Sequence, residues 1–273
     1  MQLEDHFGDI IRKGRKILNL PASVSAAAAG LSETELTALE ESGQCAQPIN
    51  FTALGPVIGM DAAKLESIFA GWLPTPQDVH RWQQLRVFTT SDDGMAVHCY
   101  LIWDAATREA TLFDTGMDAA PILAELTAQK LQLRHIFITH SHWDHIHCLG
   151  DIRKAFPEAQ IHSRIHGAPR AQQLQSGDTF TLGGLHITHR ETPGHAEDGV
   201  TYLLNGWPAN APQVAIVGDA IFAGSMGNGN GQWELARQKV RAEILTLAND
   251  TLLCPGHGPL TTVGEEVAHN PFF

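Results

Sequence analysis

The sequence lacks the marks of a chain made for export or for a membrane. Its first residues, MQLEDHFGD, are acidic, where a secretory signal needs a basic start followed by an apolar core. No apolar run reaches the ~18 residues that a membrane-spanning helix requires. Cysteine is scarce: Cys45, Cys99, Cys148 and Cys254 stand far apart with no CxxC pair, the pattern of reduced thiols in a cytoplasm. Positive charge is short as well. Eighteen Lys and Arg face 30 Asp and Glu, a net charge of −12 with histidine neutral, which argues against general binding of nucleic acid and other polyanions. With 43% hydrophobic and 18% charged residues in 273, the chain is still expected to fold as one or two globular domains. What it has in excess is histidine, 15 in all, the commonest transition-metal ligand.

Two textures divide the chain. Residues 1–76 read as helices. Phe7, Ile10, Ile11, Ile17 and Leu18 form one apolar stripe, and an Ala-rich run over 23–29 stops at Gly30. Ser32-Glu33-Thr34-Glu35 is a capping box that opens a further helix, and short helices fit 51–58 and 61–72. The stretch Gly71-Trp-Leu-Pro-Thr-Pro76 breaks the pattern and reads as a linker. Residues 77–273 alternate short apolar runs (85–88, 97–103, 110–113, 136–139, 161–163, 185–188, 200–204, 214–217, 251–254) with helical stretches at 119–131 and 233–247. Strands interleaved with helices predict an α/β layered domain. The glycines of 224–231 are too irregular for a phosphate-binding fingerprint and read as a loop.

The strand at 136–139 runs directly into His140-Ser-His142-Trp-Asp144-His145. Four potential ligands in six positions converge only if the loop folds around something. His140 and His142 can point one way, Asp144 and His145 to a second point nearby. An apolar core does not tolerate so many unpaired polar groups. His195 in Thr-Pro-Gly-His, Asp219 in Val-Gly-Asp-Ala and His257 in Cys-Pro-Gly-His-Gly-Pro each follow a strand and are held by Gly or Pro. That places them in rigid loops along one edge of the sheets.

The HxHxDH string followed by loop His, Asp and His resembles the metallo-β-lactamase superfamily over roughly 77–273. The resemblance implies a four-layer αββα fold, here preceded by a small all-helical domain. It implies one metal on His140, His142 and His195, a second on Asp144, His145 and His257, and Asp219 bridging them. The donor set suits two divalent ions, zinc with iron or manganese as alternatives. Two such ions ~3.5–4 Å apart share a hydroxide that attacks a carbonyl, with Asp144 and Asp219 as the catalytic carboxylates that orient it or carry its proton. Asp114, in Phe-Asp-Thr-Gly116, and Thr139 are expected to support the ligand loop from behind. The stretch from Gly218 to Gly227 and the tail from Pro255 to Pro271 are similar to short glyoxalase II-like hydrolases. The chain is expected to lack the C-terminal helical domain with which full-length glyoxalase II binds glutathione. Asn228 and Asn230 stand where an Arg is usual, and His147 and Cys148 follow the ligand loop; these four are candidates for the substrate pocket. The expected substrate is a small acyl thioester, with acyl group and thiol carrier open. Lactone hydrolysis, persulfide dioxygenation with one iron and a DNA-binding regulator with a metabolite-sensing domain are the alternatives.

Phe7–Trp72 loosely resembles a Cro/repressor-type helix-turn-helix, with Ser32–Glu41 as recognition helix. Its charges oppose that role, because residues 1–75 carry nine acidic and five basic groups, a net of −4, where phosphate contacts need Lys and Arg. The Arg12–Lys16 cluster reads as a solvated face. The region is expected to dock, cap or form a homodimer. His98, His162, His166, His186 and His189 are expected to be structural or solvated.

Overall fold

The alternating runs resolve into two β-sheets packed face to face. The computed structural model describes residues 2–92, 94–165, 173–175, 177–207 and 211–273; His166 lies outside them. The first sheet holds β1 (Leu85–Asp92), β2 (Met95–Trp103), β3 (Glu109–Phe113), β4 (Gln132–Phe137) and β5 (Gln160–His162) in that order. The first three strands are antiparallel, and β3, β4 and β5 are parallel. The second sheet contains β6 (Thr179–Leu182), β7 (Leu185–Glu191), β8 (Val200–Asn205), β9 (Val214–Gly218), β10 (Leu252–Pro255) and β11 (Thr261–Thr262). Its spatial order is β11-β10-β9-β8-β7-β6, with β9 and β10 parallel.

Side-chain alternation decides what each face buries. On β2, Tyr100 and Ile102 point between the sheets, meeting Phe113, Phe137, Tyr202 and Ile216, while Cys99, Leu101 and Trp103 face outward. That outer face is covered by α6 (Ala120–Ala128) and by α8 (Leu149–Ala155), which supply Ile122, Leu126 and Ile152. On the far side Leu203, Ala215, Val217 and Leu253 pack on Val240, Ile244 and Val263. These residues come from the segment after α9 (Trp233–Lys239) and from α10 (Val263–His269). The result is the αββα layering.

Residues before β1 form α1 (Phe7–Ile17), α2 (Ala22–Ala29), α3 (Glu33–Ser42), α4 (Phe51–Val57) and α5 (Ala62–Phe69). The capping box is made: Ser32 Oγ accepts from the Glu35 amide at 3.2 Å and the Glu35 carboxylate from the Ser32 amide at 2.8 Å. From the expected stripe Phe7, Ile10, Ile11 and Ile17 pack with Leu36, Leu39, Leu54 and Leu65, whereas Leu18, just past the end of α1, is 44% exposed; the same cluster takes in Met226, Ala236 and Phe272. Helices and α/β layers therefore share one apolar cluster.

Three local expectations differ from the structure. The Arg12–Lys16 cluster is in part internally paired rather than solvated: Arg15 grips Glu40 with two hydrogen bonds of 2.7 Å, and Lys13 bonds Asp5 and, at 2.7 Å, the Met226 carbonyl. The helix expected over 233–247 changes to a wider π turn at Val240–Ile244. The strand β6 leaves little trace in the sequence, because Thr179-Phe-Thr-Leu182 is a short edge strand with a single fully buried side chain.

Candidate metal centre

The loops that leave β4, β7, β9 and β10 meet at one end of the sheets. After β4 come His140 and His142, then the single turn α7 (Trp143–Ile146) with Asp144 and His145. His195 lies between β7 and β8, Asp219 directly after β9, and His257 directly after β10. Gly256 makes the approach feasible: a Cβ there would lie 2.2 Å from Asp219 Oδ1 and 2.6 Å from His145 Cε1. Gly218, at φ +51°, likewise has its missing Cβ 2.6 Å from Thr139 Oγ1, a position at which any side chain would be both strained and obstructed.

All seven side chains come together, in two sets joined by Asp219. His142 Nδ1 lies 3.1 Å from His140 Nε2 and 2.9 Å from His195 Nε2. In the second set His257 Nε2 is 3.1 Å and His145 Nε2 3.5 Å from Asp144 Oδ2. Asp219 stands between them, with Oδ2 3.4 Å from both His195 and His257 and Oδ1 3.3 Å from His145. The ligand atoms of His140, His142 and His195, and likewise those of Asp144, His145 and His257, lie within 4.8 Å of one another.

The imidazoles are aimed from behind. His145 Nδ1 bonds Asp114 Oδ2 at 2.8 Å, His257 Nδ1 the Ala96 carbonyl at 2.6 Å, and His195 Nδ1 the Asn228 carbonyl at 3.0 Å. Each leaves its Nε2 facing the centre, which fixes ring orientation as an outer partner does at metal sites. Asp114, buried at φ +57°, also accepts from the Thr139 amide and hydroxyl, both at 2.7 Å. One carboxylate thus ties the end of β4 to the ligand helix α7.

Charge separates the two sets. Burial holds His140 well below the usual imidazole range and also lowers His195. Burial opposes charge at His145 too, yet Asp219 and Asp114 carry it up to about 10. His257, likewise opposed by burial, is carried up to about 11 by its bonds to Asp144 and Asp219. Burial works against an ionised Asp219, but His145 and His257 outweigh it and hold this carboxyl well below the carboxylate range. His145 Nε2 and Asp219 Oδ1 are both buried without a hydrogen-bond partner; they are 3.3 Å apart but not aligned to bond. Orphaned donor atoms of this type, in an imidazole and carboxylate set, fit a divalent cation.

The four pocket candidates divide. Asn228 and Asn230 are at the centre: Asn228 holds His195 through its carbonyl, and Asn230 Nδ2 donates to the His195 carbonyl at 2.9 Å. Asn230 also lines a cleft of about 400 Å³ with His142 and His195. His147 and Cys148 instead line a different cleft, with Met117, Asp118, Leu123 and Lys154. Two residues beyond His145 on one helical turn, His147 points away from it and meets Trp143 edge-on. Sequence reasoning missed what the backbone supplies, since the Ala96 and Asn228 carbonyls leave no side-chain pattern. His98, expected to be structural or solvated, is structural: its Nε2 bonds the Gly258 carbonyl at 2.7 Å beside His257.

Comparisons with known proteins agree with this geometry. The pattern of the metallo-beta-lactamase superfamily matches residues 92–257, more than half of the chain. The human mitochondrial persulfide dioxygenase ETHE1 is 33% identical over 181 residues, 63% of this chain and 69% of that protein. The hydroxyacylglutathione hydrolase GloC of Haemophilus influenzae is 26% identical over 200 residues, 64% of this chain and 92% of that one. The crystal structure of ETHE1 from Myxococcus xanthus superposes with a TM-score of 0.58 at 31% identity, covering 68% of this chain and 83% of that one. No helix among the described residues is long and apolar enough to cross a membrane. With the pattern spanning the ligand loops and the αββα layers built around them, the chain belongs to the metallo-beta-lactamase superfamily.

Proposed function

We propose that this protein is a metal-dependent hydrolase of small acyl thioesters. The observation that carries the reading is the presence of two complete donor sets sharing Asp219, an arrangement suited to two divalent ions, with zinc favoured by the nitrogen-rich donors. Bound there, the ions would supply the positive charge that lowers the pKa of a water and polarises a thioester carbonyl. The chain's own residues do the rest. His140, His142 and His195 would hold one ion, Asp144, His145 and His257 the other, and Asp219 both. Asp144 and Asp219 would orient the attacking water and take its proton. Asp114 keeps His145 in the required tautomer by accepting from Nδ1, and Thr139 holds Asp114 in turn. The kinship with GloC, a hydroxyacylglutathione hydrolase by name, supports the reaction class.

A second reading, persulfide dioxygenation on a single iron, is favoured by the higher identity to human ETHE1. One experiment separates the two. Protein purified without added metal is analysed for metal content and assayed for hydrolysis of S-lactoylglutathione and simpler thioesters, for hydrolysis of acyl-lactones, and for oxygen uptake with glutathione persulfide. About two metals per chain with thioester turnover and no oxygen uptake supports the proposal. Lactone turnover alone keeps the site and overturns the substrate class, and a single iron with oxygen consumption selects the second reading.

A further inference from the structure

The loop that delivers His195 also delivers a carboxylate that no part of the centre uses. The cleft of about 400 Å³ beside His142 and His195 is lined in addition by Ser141, Glu197, Asp198 and Gln232, and its size is that of a small-molecule pocket. Asp198 is only 6% exposed, and its Oδ2 is buried with no hydrogen-bond partner among the described residues. The other buried acids nearby are engaged: Asp114 accepts from Thr139 and His145, and Asp144 and Asp219 face imidazoles. A buried carboxylate with one oxygen lacking a donor is costly to a fold, and on the wall of a ligand-sized cleft a cationic ligand group offsets that cost.

We propose that Asp198 sets the substrate charge, accepting a hydrogen bond from an ammonium group of the thioester, so that the cleft takes cationic substrates and rejects those with a carboxylate at the same place. The proposal rests on the thioester-hydrolase reading and names the substrate class for it. A cation beside Asp198 gains a charge-assisted hydrogen bond in a partly dehydrated cleft. An anion there meets the Asp198 carboxylate, and such repulsion is as effective a selector as attraction.

The test uses the full-length, metal-loaded protein and thioesters of one acyl group with three thiols: 2-(dimethylamino)ethanethiol, 2-mercaptoethanol and 3-mercaptopropionate. The expected kcat/KM falls in that order, with the cationic ester at least tenfold above the anionic one, and Asp198→Asn reduces this ratio at least tenfold. A wild-type enzyme without the cationic preference, or a variant that keeps the ratio, overturns the proposal. If no thioester is hydrolysed, the thioester reading has failed, and Asp198 is judged by binding alone. Calorimetry then compares uncleavable amides of the same acyl group with a dimethylaminoethyl and a carboxyethyl arm. At least tenfold tighter binding of the cationic amide to wild type but not to Asp198→Asn upholds the assignment, and equal affinities overturn it.

Discussion

The two ligand sets lie side by side and are built from opposite electrostatics. His140, His142 and His195 form one group, with His142 and His195 on the wall of a cleft and His140 and His195 held below their usual pKa by burial. Asp144, His145 and His257 are buried and share two carboxylates, and their imidazoles take protons up to about pH 10 and 11. In the first set burial favours the neutral form of His140 and His195; the second must release protons before it binds a cation. A single loop can feed both because α7 turns Asp144 and His145 away from the direction of His140 and His142. Sequence neighbours thus do different electrostatic work.

The largest expected effect comes from removing what the sets share. Asp219→Asn is expected to lower kcat/KM by about 10³-fold or more and to reduce bound metal below two per chain, read by kinetics and elemental analysis. Retention of two metals would break the view of Asp219 as the joint.

The proton difference comes next. His145 and His257 are charged in the metal-free protein at pH 8, so a cation entering their set displaces them, and its apparent affinity rises with pH until about 11. His140 and His195 are instead held below their usual range by burial, so affinity at their set is expected to change less with pH. Calorimetry in two buffers of different ionisation enthalpy, on His142→Ala and on Asp144→Ala, is expected to show release of about two protons in the first and less than one in the second. Equal release would remove the distinction.

Asp114→Asn disturbs one set only. It weakens the support of His145 Nδ1 and is expected to cost about 10–100-fold in affinity for one metal equivalent, measured by competition with a chromogenic chelator while the other equivalent stays bound. Ser32→Ala, in the helical region, is expected to destabilise by about 1 kcal/mol through loss of the N-cap and to leave metal content unchanged, checked by denaturant unfolding beside elemental analysis.

That these seven side chains meet was legible because imidazoles and carboxylates, each placed after an apolar run, are costly to a fold that gives them nothing to bind. The helix starts were legible for a related local reason: Ser32 and Glu35 cap each other within one turn. Non-local features were not. Lys13, readable only as a basic helical residue, bonds the Met226 carbonyl 213 positions away, and Asp5 accepts from the Ser225 hydroxyl. Through these bonds and the cluster around Met226, the helical region braces the segment from which Asn228 orients His195. No periodicity reports such a pairing.

By itself the sequence determined the alternation of strands and helices, the seven donor side chains and their order along the chain, since spacing and residue chemistry are local properties. Tertiary structure alone decided that Asp219 lies between the two sets, that Nδ1 of three histidines faces a fixed acceptor, that His147 turns away from the centre and that Asp198 Oδ2 is buried with no donor among the described residues. Those outcomes depend on which backbone groups the packed sheets bring within about 3 Å of a side chain, a distance set by the whole fold rather than by neighbours in the chain.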